Sequence, residues 1–591
     1  MPSSRRPVPA GTGKGGTGKG GRHSVAGAAR ALSPRGALAL HKVDGALLFA
    51  VRAALAMALV ALPVAQAGRP DLAVYAMLGA FTTTFGRNLP YPRRARVLAL
   101  VAVAMVACVG CGSALAAWAR PWAGGAGAAV VVAATAVVAG LAKGVCDATR
   151  LSGLGAVLLL FSFAVAANGS PLPADVLPQT ALAAAGAAVA WLLGMSGRLV
   201  HPDRPQRLAV ATALRELAEL LEAGGGARQT RHRATVAVLR AYHSLGLAPP
   251  TQAQQTGRDA AFVRLTDLSW SLLVRSAHRL PDDPTATAHH LRRQARLLTG
   301  RRRRLPSMLP ELTVLAPASQ DGVTHRAAGA AAAPADPVAG RASELLVGHR
   351  PGGTGHFAVL AVPALRMVLG TGVAGGLAVL LGLEHGYWAS ISAAAVLHSV
   401  NLRTTAQRAV QRTLGTIAGL LLALGVLAAH PAPVALTLVV VLLEFLLEYV
   451  VARNYGLGVV FLTPLALLLS DLASPAPAGE LVRARVLGSV LGIAVGLVCA
   501  LLVVHDRAAL RVERALAACT DAAEQAERAL TERCGPPLPL VQVRLVVAVV
   551  ELRDADDAAA GELWPAGIDP AELAGAEQRA YLLLERLHPW R

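Results

Sequence analysis

Arg403, Arg408 and Arg412 interrupt an otherwise apolar stretch, "GYWASISAAAVLHSVNLRTTAQRAVQRTLGT". Arg408 and Arg412, four residues apart, share one face of a helix. Guanidinium groups at such a place can do two things. They can snorkel to lipid headgroups and fix the orientation of the neighbouring spans, or they can line a vestibule that concentrates an anion. The residues themselves leave both readings open. Downstream, Glu444 and Glu448 sit four residues apart within "VALTLVVVLLEFLLEYVVARNYG". Carboxyl groups inside so apolar a helix fit a proton or ion path, and equally a structural lock closed by an arginine from a neighbouring span. In the first case the pair holds a proton and releases it when an arginine approaches, Arg485 of the last apolar stretch being one such arginine. Thr463-Pro464 adds a kink that frees a backbone carbonyl, for packing or for a cavity.

The elements that must position these groups are membrane helices. Of the 591 residues 54% are hydrophobic and only 16% charged, with a mean hydropathy of +0.50. A soluble chain carries about 25% charged residues. Apolar runs such as 95–118, 126–145, 180–200, 358–383 and 434–451 approach or exceed the ~20 residues a helix needs to cross a bilayer. No strand-like alternation suggests a barrel, so helices satisfy the backbone. The expected fold class is all-α and polytopic, with about twelve transmembrane helices as two parallel six-helix repeats, plus helical cytoplasmic regions.

Two apparent motifs fail on context. "GTGKGGTGKG" (11–20) looks like a phosphate-binding loop, but no strand precedes it and Gly20 follows Lys19 where a magnesium-holding Ser or Thr is needed. It reads as part of a flexible, basic tail. Cys108 and Cys111 form a CxxC inside an apolar run, where i and i+3 share a helix face and two thiols alone make a poor metal site. No Ser/His/Asp, metal or nucleotide constellation stands out. The chain is therefore not read as an enzyme, and no cofactor, catalytic residue or metal is expected.

Six spans are read near 45–66, 71–86, 95–118, 126–145, 152–168 and 179–200, and six more near 358–383, 385–400, 409–429, 434–452, 456–472 and 481–504. Arginine and lysine favour cytoplasmic loops. With the N-terminus inside, the short cytoplasmic loops hold Arg87, Arg93, Arg94, Arg96, Lys143, Arg150, Arg403, Arg408, Arg412 and Arg453, while the outside loops hold only Arg69 and Arg120, or four arginines if Arg483 and Arg485 are counted there. That orientation puts both termini in the cytoplasm of a multi-pass plasma-membrane protein.

The two membrane halves look like copies. "RLSGLGAVLLLFSFA" (150–164) matches "RNYGLGVVFLTPLAL" (453–467), Tyr75 stands 21 residues before Arg96 as Tyr387 does before Arg408, and Arg52 and Arg366 fall near the start of each first span. Three matches in one order indicate duplication. An even number of spans per copy makes the repeats parallel. The second span of each half is short, which in repeated transporters points toward the site.

Five segments result: a disordered basic tail (1–42), a first membrane repeat (43–200), a cytoplasmic helical domain and linker (201–357), a second membrane repeat (358–504) and a cytoplasmic C-terminal region (505–591). Residues 201–350 carry 21 Arg against 12 acidic residues, and residues 506–591 carry 10 against 15, so the last segment is a candidate to dock on the middle one. The net charge of +20 is thus distributed by topology, and no nucleic acid is expected as a partner.

The opening stretch, with "RNYGLGVVFLTPLALLL" and "RARVLGSVLG", resembles the fusaric acid resistance and aromatic acid exporter family. The residues that carry the resemblance are Tyr387, Trp388, Thr404, Thr405, Arg408, Arg412, Gly415, Thr416, Asn454, Tyr455, Thr463 and Pro464. It is specific over 357–504 and weaker over 43–200, where the Trp, the Thr-Pro and the last-span arginines are missing. The resemblance implies export of aromatic carboxylic acids or related organic anions, coupled to protons. Candidate substrate-binding residues are then Tyr387, Trp388, Thr404, Arg408, Arg412, Asn454, Tyr455, Thr463 and Arg485, with Glu444 and Glu448 as candidates for proton coupling. The expected partners are the lipid bilayer, a small organic anion and protons; a homo-oligomer and an adaptor protein stay open. A passive anion channel and a non-transporting scaffold acting through its cytoplasmic domains are the alternatives.

Overall fold

The computed structural model describes residues 45–87, 89–121, 125–149, 155–169, 172–224, 227–249, 260–300, 308–315, 341–342, 344–346, 354–383, 385–399, 402–502, 507–532, 538–561 and 567–588. The basic tail 1–42, the linker core 316–340, the arginine run 301–304, Arg150 and the first residues of the 150–164 motif lie outside the described residues.

Among the described residues the regular structure is helical throughout. The first membrane half contains α1 (Ala46–Gln66), α2 (Pro70–Ala80), α3 (Tyr91–Ala119), α4 (Ala126–Ala148), α5 (Gly155–Ala167) and α6 (Val176–Val200). The second contains α12 (Thr354–Leu380), α13 (Tyr387–Leu397), α14 (Leu402–Ala428), α15 (Pro433–Val450), α16 (Tyr455–Ala473) and α17 (Ala478–Leu502). Between them come α7 (Arg204–Glu222), α8 (Arg228–Leu245), α9 (Ala260–Arg275), α10 (Pro284–Thr299) and α11 (Pro310–Leu315), and after them α18 (Arg507–Thr531), α19 (Leu538–Ala559) and α20 (Pro570–Arg586).

Nine of the described helices are long and apolar enough to cross a membrane. The other three in the membrane halves are shorter than the sequence suggests: α2 and α13 have 11 residues and α5 has 13. At 1.5 Å per residue an 11-residue helix covers about 16 Å, half a hydrocarbon core. Every residue of α5 and α13 is buried. They are interior helices, apolar all round because protein surrounds them, which is why their hydropathy reads like that of lipid-facing spans.

Helix packing follows the small residues. A Cβ on Gly79 would stand 2.0 Å from the carbonyl oxygen of Ala183, and one on Gly186 would stand 2.0 Å from that of Ala76, so α2 and α6 touch backbone to backbone. In the second half the same kind of contact joins α17 to α13: a Cβ on Gly492 would meet Ala389 O at 2.2 Å, and one on Gly488 would meet Cβ of Trp388 at 2.8 Å. Gly415 and Gly419 bring α14 equally close to α16. Between the halves, α1 packs on α15 and α4 packs on α12.

The two extramembrane segments share one core. Leu214, Leu217, Tyr242 and Trp270 from α7–α9 pack in the same buried cluster as Val512, Cys519, Val546 and Leu584 from α18–α20. Polar contacts add to that core, with Arg228 paired to Glu577 at 2.7 Å and His232 Nε2 3.0 Å from Asp554 Oδ1. Among the described residues the domain reaches the membrane helices at several points. Arg93 of α3 meets His243 of α8, and the amide of Arg403 at the start of α14 donates to Gly561 O after α19 (3.0 Å).

His588 is buried in this domain beside Ser271, and burial, with the nearby Arg275 charge, lowers its pKa to about 4. Its unfolded value is near 6.5, so the unfolded chain takes up the proton first as pH falls. Stability is therefore full above pH ~6.5 and declines toward pH ~4, by about 2 kcal/mol at pH 5. Thermal unfolding of the domain at pH 7 and pH 5 should show this difference, and His588→Gln should remove most of it.

Candidate functional site

The cluster forms around α13. Gly386 precedes Tyr387 and Trp388, and the Ala/Ser-rich helix behind them is thin enough to pass through the interior. Tyr387 and Trp388 lie 4.7 Å apart between ring centroids, and the Tyr387 hydroxyl meets Ser470 Oγ at 3.1 Å. On α17, Arg485 stands one turn before Gly488. Because Gly488 lets α17 come against Trp388, the Arg485 guanidinium lies over the indole, with Cζ 4.0 Å from the ring centroid. Phe161 of α5 stands 6.2 Å from Trp388. From α14, Arg412 donates through Nη2 to Ser392 Oγ at 3.2 Å.

A cavity of about 20 Å³ lies between these groups, lined by Val157, Leu158, Phe161, Trp388, Ile391, Arg412, Leu462, Ala466 and Arg485. That volume admits about one water. It is closed by helices from both membrane halves, α5 from the first and α13, α14, α16 and α17 from the second.

Arg412 and Arg485 are each 1% exposed. Nε of Arg412 and both Nε and Nη1 of Arg485 have no hydrogen-bond partner, and among the described residues neither side chain has a carboxylate in reach. Burying an uncompensated guanidinium costs several kcal/mol, and two near each other repel. A stacking contact recovers only ~1–2 kcal/mol. A fold that maintains this arrangement places strong, unfilled donors against aromatic faces, the complement of a flat anion.

The other candidate substrate-binding residues lie around this cluster. Arg408 lies outside the cavity, partly exposed, with Cζ 5.4 Å from the Tyr455 ring centroid. The Tyr455 hydroxyl is itself buried without a partner. Asn454 is a helix cap, its Oδ1 accepting from Leu457 N at 3.1 Å. Thr463 is fully buried against Gly419, where α14 crosses α16. Thr404 sits on the first turn of α14, two turns before Arg412, and does not line the cavity. Phe161, Val157 and Leu158 were not singled out, although they lie in the 150–164 motif that matches the second half.

Glu444 and Glu448 face a different neighbour. α15 packs on α1, and Glu448 Oε2 accepts from Arg87 Nη2 at 2.6 Å. The Arg87 guanidinium also covers the Phe49 ring at 3.8 Å. The arginine beside the pair is thus Arg87, from the first half, while Arg485 is engaged at Trp388. Glu444 is 1% exposed and its Oε2 has no partner. Breaking the Arg87–Glu448 pair by Glu448→Gln is expected to lower stability by ~1–3 kcal/mol, because a half-buried guanidinium is left without its carboxylate. Thermal unfolding in detergent measures this, and adding Arg87→Met to the same chain should recover most of the loss.

The fold and the cavity together define a polytopic, all-helical membrane protein with a cationic, aromatic pocket inside the bundle. Comparison shows what the chain is similar to. Residues 373–499 match the family described as fusaric acid resistance protein-like, the one that the Tyr-Trp and arginine motifs resemble, and this segment contains α13, Arg412, both glutamates and Arg485. The chain is also 25% identical over 540 residues to an uncharacterized membrane protein, YvaC, of Bacillus subtilis (strain 168), covering 88% of this chain and 82% of that one. No solved structure matches.

Proposed function

We propose that the chain is a transporter rather than an enzyme, and that it exports aromatic carboxylic acids or closely related organic anions across the plasma membrane. The observation that carries the reading is the buried pair Arg412 and Arg485, unmatched by carboxylates, facing one cavity with Trp388 and Phe161. A carboxylate takes the free N–H groups as charge-assisted hydrogen bonds, worth ~1.5–3 kcal/mol each, while its ring stacks against the indole. The roughly 20 Å³ cavity is too small for such a molecule, so binding requires the lining helices to part. Because those helices come from both halves, a movement of one half against the other opens and closes it, as alternating access requires. The loop arginines support a cytoplasmic location for both termini and the extramembrane domain, with Arg408 at the entrance. Proton coupling is assigned to Glu444, beside the Glu448 carboxylate that Arg87 holds.

Salt separates the two kinds of arginine. Screening shortens the reach of an exposed charge to ~3 Å at 1 M but hardly touches a buried one. Transport by Arg408→Gln should fall more at low than at high salt, whereas transport by Arg412→Gln should fall equally at both. Uptake assays at two salt concentrations check this, and wild-type transport by both variants would reduce these arginines to orientation signals.

A further inference from the structure

A second set of unmatched donors lies where the first membrane half meets the extramembrane domain. Arg94, near the start of α3, is 4% exposed, and its Nε has no partner. Tyr91, one turn earlier, is also 4% exposed. Trp191 Nε1 donates to Ala95 O at 3.0 Å and holds α6 against this end of α3. Two glycines then open the surface of α6. At Gly197 a Cβ would meet the Tyr91 hydroxyl at 2.4 Å and Nη2 of Arg52 at 2.5 Å, so this hydroxyl and this guanidinium are neighbours. At Gly194, one turn back on the same face, a Cβ would stand 3.9 Å from Nη2 of Arg94.

We propose that Arg52, Tyr91 and Arg94 form a phosphate-binding site over Gly194 and Gly197 of α6, whose ligand is the headgroup of an anionic phospholipid. Two guanidinium groups and a phenol supply donors in the fork geometry that phosphate oxygens accept. Basic pockets between spans at the membrane surface recognise lipid headgroups in this way. The lipid source is favoured over free phosphate by what flanks the site. Arg52 is half-buried on α1 among the outward-facing Leu48, Val51 and Leu55, and Leu199 at the end of α6 is 89% exposed. An acyl chain lies along that apolar face while its headgroup reaches the arginines. The site is separate from the cavity at Trp388 and does not depend on what that cavity carries.

The test uses the full-length protein purified in detergent, with phosphatidylglycerol, phosphatidylcholine and inorganic phosphate as probes, read by native mass spectrometry and by thermal unfolding. Wild type is expected to retain phosphatidylglycerol in preference to phosphatidylcholine and to gain thermal stability from it. Arg52→Gln and Arg94→Gln should each weaken that retention by at least ~10-fold, and Tyr91→Phe, which removes one hydroxyl from an otherwise unchanged site, by ~2–10-fold. If millimolar inorganic phosphate stabilises wild type but not Arg52→Gln, and phosphatidylglycerol gives nothing more, the phosphate site stands and its ligand is soluble. Should Arg94→Gln fail to fold, the other two variants decide. Folded Arg52→Gln and Tyr91→Phe proteins that respond to both probes as wild type does would overturn the proposal.

Discussion

Replacing both Arg412 and Arg485 with glutamine is expected to reduce aromatic-acid transport by at least ~100-fold while leaving the protein as stable as wild type or more so. The two halves of that expectation come from one observation. Each side chain is buried with free N–H groups and no matching carboxylate, so in the unliganded protein each is a burden on stability. Removing such a charge relieves a desolvation penalty. Toward a bound carboxylate the same groups contribute ~1.5–3 kcal/mol apiece, and their joint loss corresponds to a factor of ~100 or more. Arginines kept for structure alone would give the reverse pattern, with lower stability and transport reduced only as far as folded protein is lost. Arg485→Lys should recover only part of the activity, since an ammonium cannot lie flat on the Trp388 ring and offers no planar fork. Radiolabelled uptake alongside thermal unfolding of the same preparations checks both halves.

The second large effect is expected at Glu444. Glu448 is held by Arg87, which leaves Glu444, one helical turn away and unpartnered at Oε2, as the carboxyl able to exchange a proton. Glu444→Gln keeps the shape and removes the titration. Export driven by a pH gradient should be abolished, whereas substrate binding and substrate-for-substrate exchange, which need no net proton movement, should persist. A purely structural Glu444 predicts loss of folded protein with no specific change in pH dependence. A folded Gln variant that exports with the wild-type pH profile would remove Glu444 from the coupling path.

The fold class was readable because membrane helices are written in composition: long apolar runs, and arginines where the runs stop. What the runs concealed is that α2, α5 and α13, as described, are short and packed against protein, since a helix buried in protein and one buried in lipid have the same hydropathy. The small-residue contacts lie at Gly415 and Gly419 and at Gly488 and Gly492, each pair four residues apart on one helix face. That the last segment docks on the middle one was legible in their opposite charges, but the apolar core that α7–α11 and α18–α20 share was not, because the amphipathic pattern of each helix shows that it has a partner and not which one. At the site, Trp388, Arg412 and Arg485 were named from sequence and converge on one cavity. Asn454 was named for the same role and also caps α16 through Leu457 N, a position that Asn favours for its own local chemistry. Arg87 as the partner of Glu448 and Phe161 as the wall opposite Trp388 could be found only in three dimensions, since each comes from the other half of the chain.

The central claim is that this protein moves an aromatic carboxylate through the cavity between Trp388, Arg412 and Arg485. Uptake of a radiolabelled benzoate-type acid into inverted membrane vesicles, with and without an imposed pH gradient, tests it most directly. Saturable uptake that depends on the gradient and disappears in the chain lacking Arg412 and Arg485 is the predicted result. Equal flux with and without the gradient would make the chain an anion channel, and no uptake above that of vesicles without the protein, although folded chain is present in them, would contradict the account.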